Sequence, residues 1–168
     1  MQETIWGLSG TIWALAGAAF AIIGGGIGSA IGLASASSVA TGVITEDSEK
    51  FGRVLPLAAM PSTQGIYGFI TSILVLVFFG LLGANSEPAI SAKAGFSIFL
   101  ACLPVAGLCL VTGIYQGLTS AAASGMVARR SEESGRALIF PALVETYAVF
   151  SLIATVLMLL SLQGMYGF

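Results

Sequence analysis

The chain has 168 residues, 57% of them apolar and 8% charged, with 22 glycines, no histidine and a formal net charge of -2. A soluble domain carries about 25% charged residues, so six basic and eight acidic side chains cannot clothe one. The apolar excess excludes disorder, the lack of a three-residue glycine period excludes collagen, and the absence of a basic tract argues against nucleic acid as a partner.

What remains is a small polytopic membrane protein. Met1-Gln2-Glu3-Thr4 has no positive flank, and the apolar run behind it exceeds the about 7–15 residues of a secretory signal core. The first span is therefore expected to stay in the protein. Charge-free runs cover the stretch between Glu3 and Glu46, then Val54 to Ser86, then Ala94 to Ala128, and finally Ala137 to the end with one interruption. Each exceeds the roughly 20 residues that cross the hydrocarbon as a helix. Four transmembrane helices are predicted, at about 10–40, 54–83, 95–127 and 137–163. Continuous rather than alternating apolarity rules out a barrel. The fold class is all-α, two helical hairpins: residues 1–83, an external connecting loop 84–94, and residues 95–168.

Basic residues set the orientation. Lys50 and Arg53 lie in the 41–53 loop and Arg129, Arg130 and Arg136 in the 128–136 loop, against Lys93 alone on the other side. Both basic loops are expected in the cytoplasm, with both termini outside. Trp6, Trp13, Tyr166 and Phe168 would then form an aromatic belt on the outer face. In the third span, Cys102 and Cys109 read as buried thiols, since no histidine supports a zinc or redox site.

The two hairpins repeat one another. Gly26-Ile27 aligns with Gly113-Ile114 at a spacing of 87, whereas Gly52-Arg53 aligns with Gly135-Arg136 at 83, implying a four-residue insertion in the first loop. The first span carries a small-residue stripe at Gly24, Gly28, Gly32, Ala36 and Ala40, and the third at Gly113, Gly117, Ala121 and Gly125. Such stripes let helices approach closely in lipid. A tight bundle would use them. So would the inner circle of a ring of hairpins, with Phe69, Phe78, Phe79, Phe140 and Phe150 on an outer circle.

Glu145 is the one ionisable acid or base inside the four spans. A carboxylate at that depth is costly and usually marks an ion pathway. In the second span, Met60, Thr63, Gln64 and Tyr67 recur at i, i+3, i+4 and i+7, hence on one helix face. Gln116 is the only amide side chain of the third span. Counting from the basic loops puts Glu145, Gln64 and Gln116 at 9, 11 and 13 residues, roughly 14–20 Å deep. Pro61 and Pro141 remove backbone donors beside them and free carbonyls. One carboxylate among neutral oxygens suits a small monovalent cation. A divalent ion would carry surplus charge into lipid, and a proton would leave two amides and a hydroxyl unused. Na+ therefore fits better than H+.

Pro61-Ser62-Thr63-Gln64-Gly65-Ile66-Tyr67-Gly68-Phe69 and Val144-Glu145-Thr146-Tyr147-Ala148 resemble the four-helix proteolipid (ring-forming rotor) subunit of V-type ATPases, closest to the bacterial sodium-translocating form. The resemblance covers essentially the whole chain. It implies a homo-oligomeric ring in the cell membrane, turned by ATP hydrolysis elsewhere in the complex, with no catalytic site in this chain. It also implies central-stalk subunits and a stator membrane subunit with an essential arginine as partners, and lipid around the ring. By the same resemblance, Met60, Thr63, Gln64, Gln116 and Glu145 would bind Na+, and Tyr67 would hydrogen-bond the glutamate. Ser62 departs from a common glycine; it is also the repeat partner of Glu145, 83 residues away. One ion per four helices suits a pump better than a synthase. The competing reading is a four-helix, proton-coupled secondary exporter that uses Glu145.

Overall fold

Long apolar runs without a breaker form helices because only a helix satisfies every backbone polar group within one segment in lipid. The computed structural model describes residues 4–82 and 90–168. Met1–Glu3, the expected hairpin boundary at 83–84 and residues 84–89 of the connecting loop lie outside the described residues. Helix α1 (Gly10–Glu46) is the first span and α4 (Ala92–Arg129) the third. The second span is α2 (Phe51–Ala59) and α3 (Thr63–Phe78), joined by a 3-10 turn at Met60–Ser62. The fourth is α5 (Ser134–Ala137) and α6 (Ile139–Tyr166). All four are long and apolar enough to cross a membrane, and no β-sheet is present among the described residues.

The ends differ from the sequence expectation. At 37 and 38 residues, α1 and α4 each run about 55 Å, well past the hydrocarbon thickness. The 41–53 loop is therefore mostly helical, with a 3-10 turn at Ser48–Lys50 between α1 and α2. Charge ends a membrane span but not a helix. The second span stops at Phe78 rather than at residue 83, although the chain stays apolar through Leu82. Gly80 takes a left-handed φ of 62°. The Leu81 N–H then donates to the Leu76 carbonyl (2.9 Å) and the Gly80 N–H to that of Val77 (3.3 Å). This is the glycine-terminated C-cap that ends many helices.

The core is the α1–α4 pair, which packs along its whole length, with α3 leaning on α1 and α6 on α4. A Cβ on Gly24 would overlap the Ala106 carbonyl, one on Gly28 the Cys109 carbonyl, and one on Gly32 the Gly113 carbonyl. In return, Gly113 and Gly117 press on the backbones of Gly28 and Gly32. The stripe on α1 continues through buried Ala36 and Ala40. On α4 it continues through buried Ser120 and Ser124, whereas Ala121 and Gly125 turn out of the contact. A strict four-residue step gains about 40° per step at 3.6 residues per turn, so it drifts off a long seam.

The bundle has two distinct ends. Trp6, Trp13 and Phe96 stack edge to face at 5.1–5.8 Å. Phe79 and Phe168 do the same at 5.3 Å. Trp6 and Trp13 thus sit beside the start of α4, and Phe168 beside the end of α3. Phe79 is fully buried in this contact, unlike the exposed Phe69, Phe140 and Phe150, so it does not join an outer aromatic circle. At the opposite end, Lys50 Nζ donates to the Ala128 carbonyl (2.9 Å) and pairs with Asp47 (3.3 Å), tying the first charged turn to α4. Arg136 pairs with Glu133 there, while Arg53, Arg129 and Arg130 are exposed.

Adding a methyl at the seam should force the backbones apart. Gly32→Ala is expected to destabilise the protein by about 1–3 kcal/mol. Gly42→Ala, with nothing within 4 Å of the added carbon, should leave it unchanged or slightly more stable. Thermal unfolding of the two variants in mild detergent, followed by circular dichroism, measures the difference.

Candidate ion-binding site

The site forms where the second span breaks. Pro61 has no N–H and cannot continue the α-helical ladder, so the chain tightens into the Met60–Ser62 turn before α3 starts at Thr63. Thr63 and Gln64 thereby occupy the first turn of α3. The Met60 carbonyl accepts from the Thr63 N–H and lies 3.1 Å from its Oγ1.

Glu145 on α6 faces this turn, and four donors converge on its carboxylate. Thr63 Oγ1 donates to Oε2 at 2.7 Å, Gln116 Nε2 at 2.8 Å and Gln64 Nε2 at 3.2 Å. The Tyr67 hydroxyl donates to Oε1 at 2.5 Å. Gln64 and Gln116 are fully buried, and Gln64 Nε2 also donates to Gln116 Oε1 at 2.7 Å. Gln116 Nε2 further bonds the Pro141 carbonyl at 3.1 Å. Two acceptors beside that nitrogen orient the amide, since an amide oxygen in its place could donate to neither.

Three helices thus bring Thr63, Gln64, Tyr67, Gln116 and Glu145 into one hydrogen-bonded cluster, at the common level that residue counting predicts. Thr63 Oγ1 lies within 3.3 Å of three further oxygens, those of Met60 O, Gln64 Oε1 and Glu145 Oε2. One hydroxyl proton cannot serve all three. An oxygen-rich corner around a single negative charge is the chemistry of a hard cation site. Both amides present nitrogen to Glu145, because a carboxylate accepts and cannot donate. Only Gln64 Oε1 turns toward the oxygen corner, so Gln116 contributes a donor in this arrangement and not the neutral oxygen expected of it.

Other neighbours lie apart. Ser62 bonds back to the Ala59 carbonyl (2.8 Å), and Thr146 is exposed and bonds that of Leu143 (2.8 Å). Cys102 and Cys109 are buried and free of any disulfide. Sequence reasoning missed Ser29 on α1, whose Oγ accepts the Gly65 N–H at 2.7 Å. Nothing in its glycine-rich surroundings marks it except that it is a hydroxyl in a stripe of small residues.

The family profile of the ATP synthase c-subunit matches residues 16–75 and again residues 99–158. The chain belongs to the ATP synthase c-subunit family. It is a multi-pass membrane protein and a rotor proteolipid of the V/A type, in a family whose members assemble as rings of identical copies. It is 35% identical over 136 residues to the V-type sodium ATPase subunit K of Enterococcus hirae, covering 81% of this chain and 83% of the relative. It is also 35% identical over 135 residues to the A-type ATP synthase subunit K of Methanocaldococcus jannaschii, covering 80% of this chain and 58% of that longer protein.

The two family matches begin 83 residues apart and end 83 residues apart, the spacing of Gly52-Arg53 and Gly135-Arg136 and not the 87 of Gly26-Ile27 and Gly113-Ile114. In glycine-rich helices many registers bring small residues into line, and a shared dipeptide does not select one.

The phenol of Tyr67 caps the outer carboxylate oxygen. Tyr67→Phe should expose it, and carbodiimide should modify Glu145 about three- to tenfold faster, the loss of one hydrogen bond to a carboxyl group. Mass spectrometry of the labelled chain gives the rates; an unchanged rate would remove Tyr67 from the closure.

Proposed function

We propose that this chain is the sodium-carrying element of its rotor ring, with Glu145 as the carrier and Met60, Thr63, Gln64 and Gln116 as the surrounding ligand set. The observation that carries this reading is the oxygen corner at Thr63 beside one carboxylate. A proton needs one acceptor and no such surroundings. A monovalent ion on a single carboxylate gives a neutral bound state, which lowers the cost of exposing it to lipid. Tyr67, donating to Glu145, holds the carboxylate over the bound ion. The sodium ATPase name of the Enterococcus hirae relative supports the same ion.

In this mechanism ion entry turns the Gln116 amide so that its oxygen faces the ion, and the amide gives up its bonds to Glu145, the Pro141 carbonyl and Gln64 in exchange. The ion is the cargo, loaded from a half-channel in a neighbouring stator protein and carried as the ring turns. A stator arginine releases it by competing for the carboxylate, and central-stalk subunits transmit the rotation that ATP hydrolysis drives. The chain divides into hairpins at 1–83 and 95–168. The basic ends of the spans face the cytoplasm, with both termini outside, in keeping with Lys50, Arg53, Arg129, Arg130 and Arg136 at one end of the bundle. The slim α1–α4 pair lines the inside of the ring and the α3 and α6 spans its outside. Ser62 standing where the repeat would place a second carboxylate leaves one ion per four helices, which favours pumping against a steep gradient. Membership in the rotor proteolipid family argues against the exporter.

Carbodiimide reacts with a protonated carboxyl group, so bound sodium should shield Glu145. Sodium is expected to slow its labelling near neutral pH in the assembled ring. Gln116→Ala should raise the sodium concentration for half-protection about tenfold, the loss of one buried hydrogen-bonding group. Labelling governed by pH alone, whatever the sodium concentration, would establish the proton as the cargo.

A further inference from the structure

Helix α3 starts in the membrane interior, and that placement creates a need. The first turn of a helix leaves N–H groups without partners inside the helix. Ser62, at the N-cap position of α3, makes no side-chain cap and bonds the Ala59 carbonyl instead. The Gly65 N–H finds its partner on another helix, the Ser29 hydroxyl of α1, at 2.7 Å.

Ser29 is unlike Ser35, Ser38 and Thr45 farther along α1. Ser35, Ser38 and Thr45 each bond a carbonyl three or four residues back in their own helix, at 2.8–3.0 Å. Ser29 is only 6% exposed and accepts from a neighbouring backbone. One turn before it, Gly25 lies so close to the Gln64 carbonyl that a Cβ there would overlap that oxygen. The single peptide unit between Gln64 and Gly65 is thus gripped at both ends by α1, its C=O against Gly25 and its N–H on Ser29. Gln64 is the residue whose amide reaches both Glu145 and Gln116.

We propose that Ser29 is a positioning residue of the ion site, an N-cap supplied from α1 to α3 that fixes the Gln64 backbone and so sets where its amide meets Glu145. The Ser29 hydroxyl bonds neither the carboxylate nor the side-chain groups that donate to it, and it acts through the Gln64–Gly65 peptide. The proposal rests on the sodium reading of the cluster.

The test compares sodium protection of Glu145 from carbodiimide in rings of the full chain, purified in mild detergent. Ser29→Ala should raise the half-protecting sodium concentration about three- to tenfold, the loss of one hydrogen bond. Ring size and the pH dependence of labelling without sodium should stay as in the unaltered chain. Ser29→Cys fills the same space with a weak acceptor and should behave like Ser29→Ala. A midpoint unmoved in Ser29→Ala, or restored by Ser29→Cys, overturns the proposal while leaving the sodium reading intact. A ring that falls apart, or a pH profile that shifts together with the sodium midpoint, assigns Ser29 to general packing and also overturns it. No sodium protection in the unaltered chain overturns the sodium reading and this proposal together.

Discussion

A carboxyl group held among hydrocarbon must have its oxygens satisfied from within the protein, because no water is at hand to do so. In this chain that demand falls on Glu145, and much of the surrounding architecture answers it. Four donors from two other spans reach its two oxygens. Bringing those donors to one point requires the second span to break at Pro61, the fourth to present Glu145 from α6, and the third to carry Gln116 between them. Each of these side chains is useful only because the others stand at the same depth.

The close packing of α1 on α4 supplies the rigid base. Glycine at Gly28, Gly32, Gly113 and Gly117 lets the two backbones touch, and in lipid such contact is what holds helices together. The same lack of side chains extends around α1 to Gly25, where α3 comes within reach. A helix with bulkier residues on that face would hold α3 too far away for Ser29 to meet Gly65. Packing and site geometry are therefore one construction: the glycines that pair α1 with α4 continue into the contact that seats the α3 turn.

The duplication explains why the site is asymmetric. Only the second hairpin has a carboxylate; the corresponding position in the first is Ser62, bonded back to its own helix. The threonines behave the other way round. Thr63 joins the cluster, while its repeat partner Thr146 faces outward and bonds the Leu143 carbonyl. Two copies of one hairpin thus divide a single site, the first giving the hydroxyl, an amide and the phenol, and the second giving the charge and the other amide.

The number of spans, the lone glutamate and the polar level shared by three helices are all legible in the chain itself. They depend on charge, apolar run length and residue counting, which are properties of one dimension. The stop of α3 at Phe78 escaped this reading because Gly80 is one of 22 glycines, and its left-handed φ is set by the turn it enters. The register of the repeat escaped it because small residues align at many offsets. Ser29 and the orientation of the Gln116 amide were not legible, since each depends on which atom of another helix lies opposite. Sequence by itself determined that a single carboxylate would lie among neutral polar groups inside a four-span bundle. Only the tertiary structure decided which atoms face it, because hydrogen-bond direction and helix-to-helix distance exist only once the helices have packed.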